Sequence, residues 1–333
     1  MTPRIVVGNR IHESVAARLK QAGEVILNDT DTPLGADALR ERCSEADALM
    51  AFMTERVDAA FLDACPKLRI VGGALKGYNN FDVDACTERG VAVTVCPDLL
   101  TEPTAELTLG LMIAVARYVG FGDRLVRSDA FEGWRPVGYG RSITGATVGV
   151  LGAGAVGQAL FRLLRGFDCT CLYHDPKPLS PTLEAELGAR YAEPAQLLAN
   201  SDFLVLAVHL MADNRHMVNA GFLAAMKPQA YLINPARGSL VDEAAVADAL
   251  AAGHLAGYAA DTFELEDWQL DDRPRHVDPR LRASDQTIFT PHLGSAVRNV
   301  REAIENSAAT SIIQALEGKR PDGLVNSSAF NSR

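Results

Sequence analysis

Three residues in the C-terminal half of the chain are of types that, together, handle an anion and a proton. Arg237 follows the apolar run Ala230-Tyr231-Leu232-Ile233-Asn234, Glu266 lies just past Leu255–Ala260, and His292 follows Thr287-Ile288-Phe289-Thr290. A guanidinium offers a planar fork of donors to two oxygens of one anion. A carboxylate next to an imidazole sets the ring tautomer and stabilises the imidazolium, which leaves the other ring nitrogen to take or give a proton. Taken singly, each has an ordinary reading: Arg237 as a surface ion pair, Glu266 as part of the solvated acidic stretch 264–272, and His292 as a structural histidine. Their placement at successive strand ends, downstream of a glycine-rich turn, favours a joint role.

That turn is Gly152-Ala153-Gly154-Ala155-Val156-Gly157, between the strand-like run Ala146-Thr147-Val148-Gly149-Val150-Leu151 and a helix-forming stretch over 158–165. Gly152 permits the turn, Gly154 lets backbone approach a pyrophosphate, and Gly157 lets helix pack on strand. The helix start then offers free N–H groups and a partial positive charge to a diphosphate. By itself the pattern also fits plain packing, so the test is an acid about twenty residues downstream. A second strand-like run, 169–174, ends at Asp175, whose carboxylate accepts from a ribose diol and repels a 2'-phosphate. The order of strand, turn, helix, strand and acid implies NAD, with NADP weaker; Lys177 tempers that preference, and Pro176 stiffens the loop between the two.

These residues need a scaffold of alternating strands and helices. Short apolar runs at 5–7, 25–27, 48–52, 68–71 and 91–95 alternate with helical patterns such as 13–22 and 35–43. This predicts a doubly wound parallel sheet, separate from the sheet that carries the glycine turn. Met53 and Lys76 follow the third and fourth runs, at strand carboxyl ends where open α/β sheets bind ligands. For Lys76, flanked by glycines and apolar residues, a binding cation and a solvated loop lysine remain equal readings. One long helix is expected to start within 97–104 and run to about Ser128, and then an aromatic, Gly/Pro-rich loop containing Trp134 and Tyr139 whose apolar character points to a subunit contact. After the glycine turn the alternation resumes at 203–208, 230–234, 255–260 and 287–290, giving a Rossmann-type sheet. A helix over 295–314 carries an apolar stripe fit to return to the first sheet, and the polar tail 326–333 is expected to fray.

Bulk properties narrow the function classes. A chain of 333 residues holds about two domains, and 48% hydrophobic with 22% charged residues is ordinary for a globular protein. The net charge of -10 argues against nucleic acid or an anionic membrane as partner. The start of the chain runs straight into a strand pattern with no targeting segment, and the apolar stretch 107–116 is too short to span a bilayer, so a cytoplasmic protein is expected. Six cysteines show no metal-ligand spacing and are read as reduced packing residues, with no metal site.

In order along the chain, the 152–157 turn with Asp175, the stretch 234–243, Asp261-Thr262-Phe263-Glu264-Leu265-Glu266, and Thr290-Pro291-His292-Leu293-Gly294 resemble the NAD-dependent D-2-hydroxyacid dehydrogenases. The resemblance covers almost the whole chain. It implies a Rossmann NAD-binding domain (99–293) inserted in a discontinuous flavodoxin-like substrate domain (1–98 and 294–333), and a homodimer. It further implies Asn234, Ala236 and Asp261 as cofactor contacts, with Arg237, Glu266 and His292 catalytic.

Within that family, stretches such as Ala48-Leu49-Met50-Ala51-Phe52-Met53, Ala74-Leu75-Lys76-Gly77-Tyr78, Pro97-Asp98-Leu99-Leu100-Thr101 and Glu266-Asp267-Trp268 resemble the phosphite (phosphonate) dehydrogenase branch. Met53 and Lys76 mark that branch, whereas Ala236 fits the general hydroxyacid pattern better and His209 stands where a proline is usual. This implies phosphite as the small anionic substrate, held by Arg237 and Lys76, with Arg301 and Ser295 near it and Met53, Trp134 and Tyr139 shaping its surroundings. The alternatives are a 2-hydroxyacid dehydrogenase reducing glyoxylate or hydroxypyruvate and, from another class, a noncatalytic NADH-sensing corepressor.

Overall fold

The computed structural model describes residues 2–268 and 270–331. The chain divides into two compact units, Met1–Leu100 with Trp268–Asp271 and Ala296–Arg333, and Thr101–Asp267 with Asp272–Ser295. In chain order the first unit holds β1 (Arg4–Val7), α1 (Glu13–Ala22), β2 (Glu24–Ile26), α2 (Ala36–Cys43), β3 (Ala48–Ala51), α3 (Ala59–Ala64), β4 (Ile70–Gly73), α4 (Val83–Glu88) and β5 (Ala92–Thr94). These strands form one parallel sheet ordered β2-β1-β3-β4-β5. Helices cover both faces, so β3 and β4 are buried along their whole length and read as continuous apolar runs without alternation.

The second unit runs α5 (Thr101–Ala116), α6 (Val119–Arg127), β6 (Thr147–Leu151), α7 (Ala155–Leu164), β7 (Thr170–His174), α8 (Pro181–Leu187), β8 (Ala189–Tyr191), α9 (Pro194–Asn200), β9 (Phe203–Leu206), α10 (Ala220–Ala225), β10 (Ala230–Asn234), α11 (Glu243–Ala251), β11 (Leu255–Ala260), α12 (Pro279–Ala283) and β12 (Thr287–Phe289). Its seven-stranded parallel sheet is ordered β12-β11-β10-β9-β6-β7-β8. Strand order reverses at β6, the strand that feeds the glycine turn; this is the switch point at which open α/β sheets take ligands. The chain then returns to the first unit through α13 (Arg298–Leu316) and α14 (Ser327–Asn331). A Cβ at Gly72 would overlap the Ile312 side chain, so the bare backbone of β4 is what lets α13 lie close on the sheet.

Two expectations are corrected. The single long helix expected to start within 97–104 and run to about Ser128 is two helices, because Tyr118 takes a left-handed conformation (φ 52°) that ends α5 while the apolar pattern runs on. The 326–331 part of the tail is ordered: buried Asn326 donates to Thr87 Oγ1 and the Val91 carbonyl, both at 2.9 Å, and accepts from Val93 N at 2.8 Å. Residues 332 and 333 lie outside the described residues. The expectation of a buried helix at 107–116 agrees with the packing, although among the described residues the helical stretch Asp98–Ala116 is long and apolar enough by composition to cross a membrane. Its Ala105, Leu111, Met112, Val115 and Ala116 instead belong to the core of the second unit.

Candidate active site

The glycine turn has the geometry of a dinucleotide cradle. Gly152 sits at φ +100° with a Cβ position that would strike the Ala207 carbonyl, and Gly157 abuts the Gly152 carbonyl; no other residue fits either place. At Gly154 the space is open, as a diphosphate against the backbone requires. Asp175, past the end of β7, accepts from Ala153 N at 2.9 Å and from Lys177 N at 3.0 Å, which ties the ribose-reading carboxylate to the turn itself. Residues 152–157, Asp175 and Pro176 therefore fit the adenosine and diphosphate halves of a dinucleotide.

The carboxyl ends of β10, β11 and β12 carry Arg237, Glu266 and His292. His292 Nδ1 lies 2.7 Å from Glu266 Oε2, and Glu266 Oε1 accepts from Phe263 N at 2.8 Å. The imidazole is thus gripped on Nδ1. His292 itself is left-handed (φ 58°), an uncommon state for a non-glycine residue that needs outside support. Asp261 supplies it: the Asp261 carbonyl accepts from His292 N at 2.8 Å, and its carboxylate accepts from Thr290 Oγ1 (2.6 Å), Leu293 N (2.7 Å) and Gly294 N (2.8 Å). Asp261 and Asn234, both expected as cofactor contacts, also brace these loops. Asn234 donates to the Arg237 carbonyl at 2.8 Å and accepts from Ala236 N at 3.1 Å, so their polar atoms shape the loops.

Arg237 stands on the loop after β10, donating to the Ala236 carbonyl at 2.8 Å. Burial lowers its pKa, and the carboxylates of Asp267 and Glu266 oppose that shift. The loop is pressed onto the 3-10 turn Glu264–Glu266: a Cβ at Gly238 would overlap the Phe263 carbonyl carbon and Glu264 N. Sequence reasoning missed three residues of this layer. Ser239 and Asp267 hydrogen-bond to each other, and buried Glu264 accepts from Arg215 Nε (3.0 Å) and Arg215 Nη2 (2.8 Å) and lies 2.8 Å from His216 Nε2. The sequence signal was only an excess of acids over 264–272, which looked solvated.

In the first unit, Met53 and Lys76 leave the adjacent strands β3 and β4 at their carboxyl ends. Lys76 pairs with Asp98, and burial lowers its pKa. Arg301, near the start of α13, lies over the Phe52 ring at 5.8 Å; burial lowers its pKa too, against the pull of Glu305. Ser295 is buried in the second unit. Trp134 and Tyr139 are 84% and 77% exposed, so in a single chain both rings face solvent. Among the described residues no cluster of metal-ligating side chains is found.

A glycine cradle with its acid, together with a histidine–carboxylate pair and a half-buried arginine on the neighbouring loop, is the arrangement of a nicotinamide-dependent dehydrogenase. Residues 109–294 match the family "D-isomer specific 2-hydroxyacid dehydrogenase, NAD binding domain", and the chain belongs to that family. It is similar to a glyoxylate reductase of Pyrococcus furiosus (36% identical, 100% of this chain and 98% of that protein). Among solved structures it resembles a protein of Thermus thermophilus (TM-score 0.86, 32% identical, 97% and 99% covered). It also resembles an NADPH-dependent glyoxylate/hydroxypyruvate reductase of Sinorhizobium meliloti in complex with NADP and malonate (TM-score 0.83, 28% identical, 99% and 98% covered).

Proposed function

We propose that this NAD-dependent dehydrogenase oxidises phosphite to phosphate. When bound, NAD supplies the hydride acceptor for the P–H bond that breaks. Arg237 grips two oxygens of the anion and Lys76 adds a second cation, while Met53, Arg301, Ser295, Trp134 and Tyr139 shape the surroundings. As a water oxygen bonds to phosphorus, His292 Nε2 takes the water proton, and Glu266 holds the imidazolium through Nδ1. The carrying observation is Lys76, a half-buried ammonium paired with Asp98 at a strand end. A multiply charged anion with three oxygens uses a second cation that a single carboxylate does not need.

Named relatives favour a second reading, and by similarity alone it is the better supported. In it the chain reduces glyoxylate or hydroxypyruvate, with Arg237 on the carboxylate and His292 giving a proton to the carbonyl. We also infer a homodimer, from the exposed apolar side chains of α6 and the loop 128–142. Purified protein with NAD and phosphite, beside glyoxylate or hydroxypyruvate with NADH, separates the substrates by absorbance of the reduced cofactor. NADH formed with equimolar phosphate supports phosphite; a silent phosphite well beside NADH consumed by glyoxylate overturns it in favour of the second reading.

A further inference from the structure

We propose that Asp267 is a positioning residue for the anion site: its carboxylate clasps Ser239 and thereby sets the loop on which Arg237 stands. Asp267 Oδ2 accepts from Ser239 N at 3.1 Å and from Ser239 Oγ as well, so one buried oxygen holds two donors of a residue two positions past Arg237. Asp267 is 4% exposed and Ser239 fully buried. Between them Gly238 presses onto Phe263 and Glu264 with no room for a Cβ, which leaves the loop one way to lie. The other end of the same turn is anchored by Glu264 on Arg215 and His216, and His216 N donates to the Ser239 carbonyl at 2.7 Å. Three acidic residues of one short segment thus split their work: Glu264 anchors the turn, Glu266 orients His292 and Asp267 sets the arginine loop.

The electrostatics agree with this geometry. Burial raises the Asp267 pKa, and its hydrogen bonds from Ser239 and the charge of Arg237 work against that rise. A clasp in which one acceptor oxygen holds both a hydroxyl and an amide fixes the loop, and losing it lets a guanidinium drift by enough to spoil a bidentate grip.

The inference rests on Arg237 binding the substrate anion. It is tested by steady-state kinetics on Asp267→Ala, Asp267→Asn, Ser239→Ala and Arg237→Ala, using phosphite with NAD or glyoxylate with NADH, whichever the wild type turns over. NADH affinity is followed by fluorescence. Asp267→Ala is expected to raise KM for the anion about tenfold with kcat within about threefold of wild type and NADH affinity unchanged. Ser239→Ala should shift KM in the same direction by less, and Asp267→Asn, which keeps an acceptor for Ser239, should recover most of the loss. Ser239→Ala removes one oxygen and keeps the test readable even where Asp267→Ala fails to fold. An unchanged KM in both Asp267→Ala and Ser239→Ala, or a loss in Asp267→Asn as large as in Asp267→Ala, overturns the clasp. If Arg237→Ala leaves KM unmoved, the anion-binding role of Arg237 falls instead; a large effect there beside silent Asp267 and Ser239 variants overturns only the positioning role.

Discussion

His292 is gripped at both ends, by Glu266 through its ring and by Asp261 through its backbone, and this makes its contribution separable from that of the arginine. If His292 carries the proton, replacing it by alanine should lower kcat by about 10²- to 10⁴-fold with cofactor affinity retained, as single-turnover kinetics and NADH titration would show. Glu266→Gln keeps a hydrogen bond to Nδ1 and loses the charge, so its kcat should fall less. Lys76 carries a different expectation. Burial lowers its pKa, so its positive charge is present below that lowered value and is lost as pH rises through it, earlier than for an ordinary lysine. If Lys76 binds the anion, KM should climb on the alkaline side, and Lys76→Arg should flatten that limb because a guanidinium stays charged; a limb identical in both proteins would exclude the role. At this scale the sequence exposed the residues that end strands, Arg237, His292 and Lys76, because an apolar run makes its own end visible. Ser239, Asp267 and Glu264 stayed hidden, since their partners are set by how two loops meet in space.

Elements are held together by a small number of buried charges, of which Asp202 is the plainest. It sits just before β9, accepts from Thr147 N at 2.9 Å, and pairs with Lys227 Nζ at 2.6 Å and Arg141 Nη2 at 2.9 Å, joining β6, the approach to β10 and the segment before β6. Burial alone would raise its pKa, but the bonds from Lys227 and Thr147 and the charge of Arg141 outweigh it and lower the value. A depressed carboxylate stabilises the fold above its unfolded pKa, and that contribution disappears as pH falls through the folded one. Asp202→Asn should therefore melt several degrees below wild type at neutral pH, with the gap closing as pH drops below the ordinary aspartate value of 3.8; a gap that stays constant would count against the ion cluster. Elements with a clear period were readable: the runs at 230–234 and 255–260 are β10 and β11 to the residue. The edge strand β8 was not, because Ala189-Arg190-Tyr191 buries too little to show a pattern, and the break at Tyr118 lies inside uninterrupted apolar periodicity.

At the scale of the molecule, two sheets of different strand order share one chain, and the one that reverses at β6 carries the glycine turn. If Asp175 reads the ribose diol, Asp175→Ala should raise kcat/KM for NADP relative to NAD, with Lys177 nearby to receive the extra phosphate; an unchanged ratio would mean that preference lies elsewhere. The remaining question is how the apolar surface of that unit is covered. Val119 and Val126, seven residues apart on one face of α6, are 50% and 60% exposed, and Phe131, Val137, Trp134 and Tyr139 are exposed on the loop after it. If these bare side chains form the proposed homodimer contact, an identical surface on a second copy covers both at once. Sedimentation velocity at micromolar concentration should then give a dimer, and Val126→Asp should shift it toward monomer by placing a charge in the buried seam. A wild-type chain that sediments as a monomer across that range would show that these side chains meet water or another partner, and the homodimer reading would fall with it.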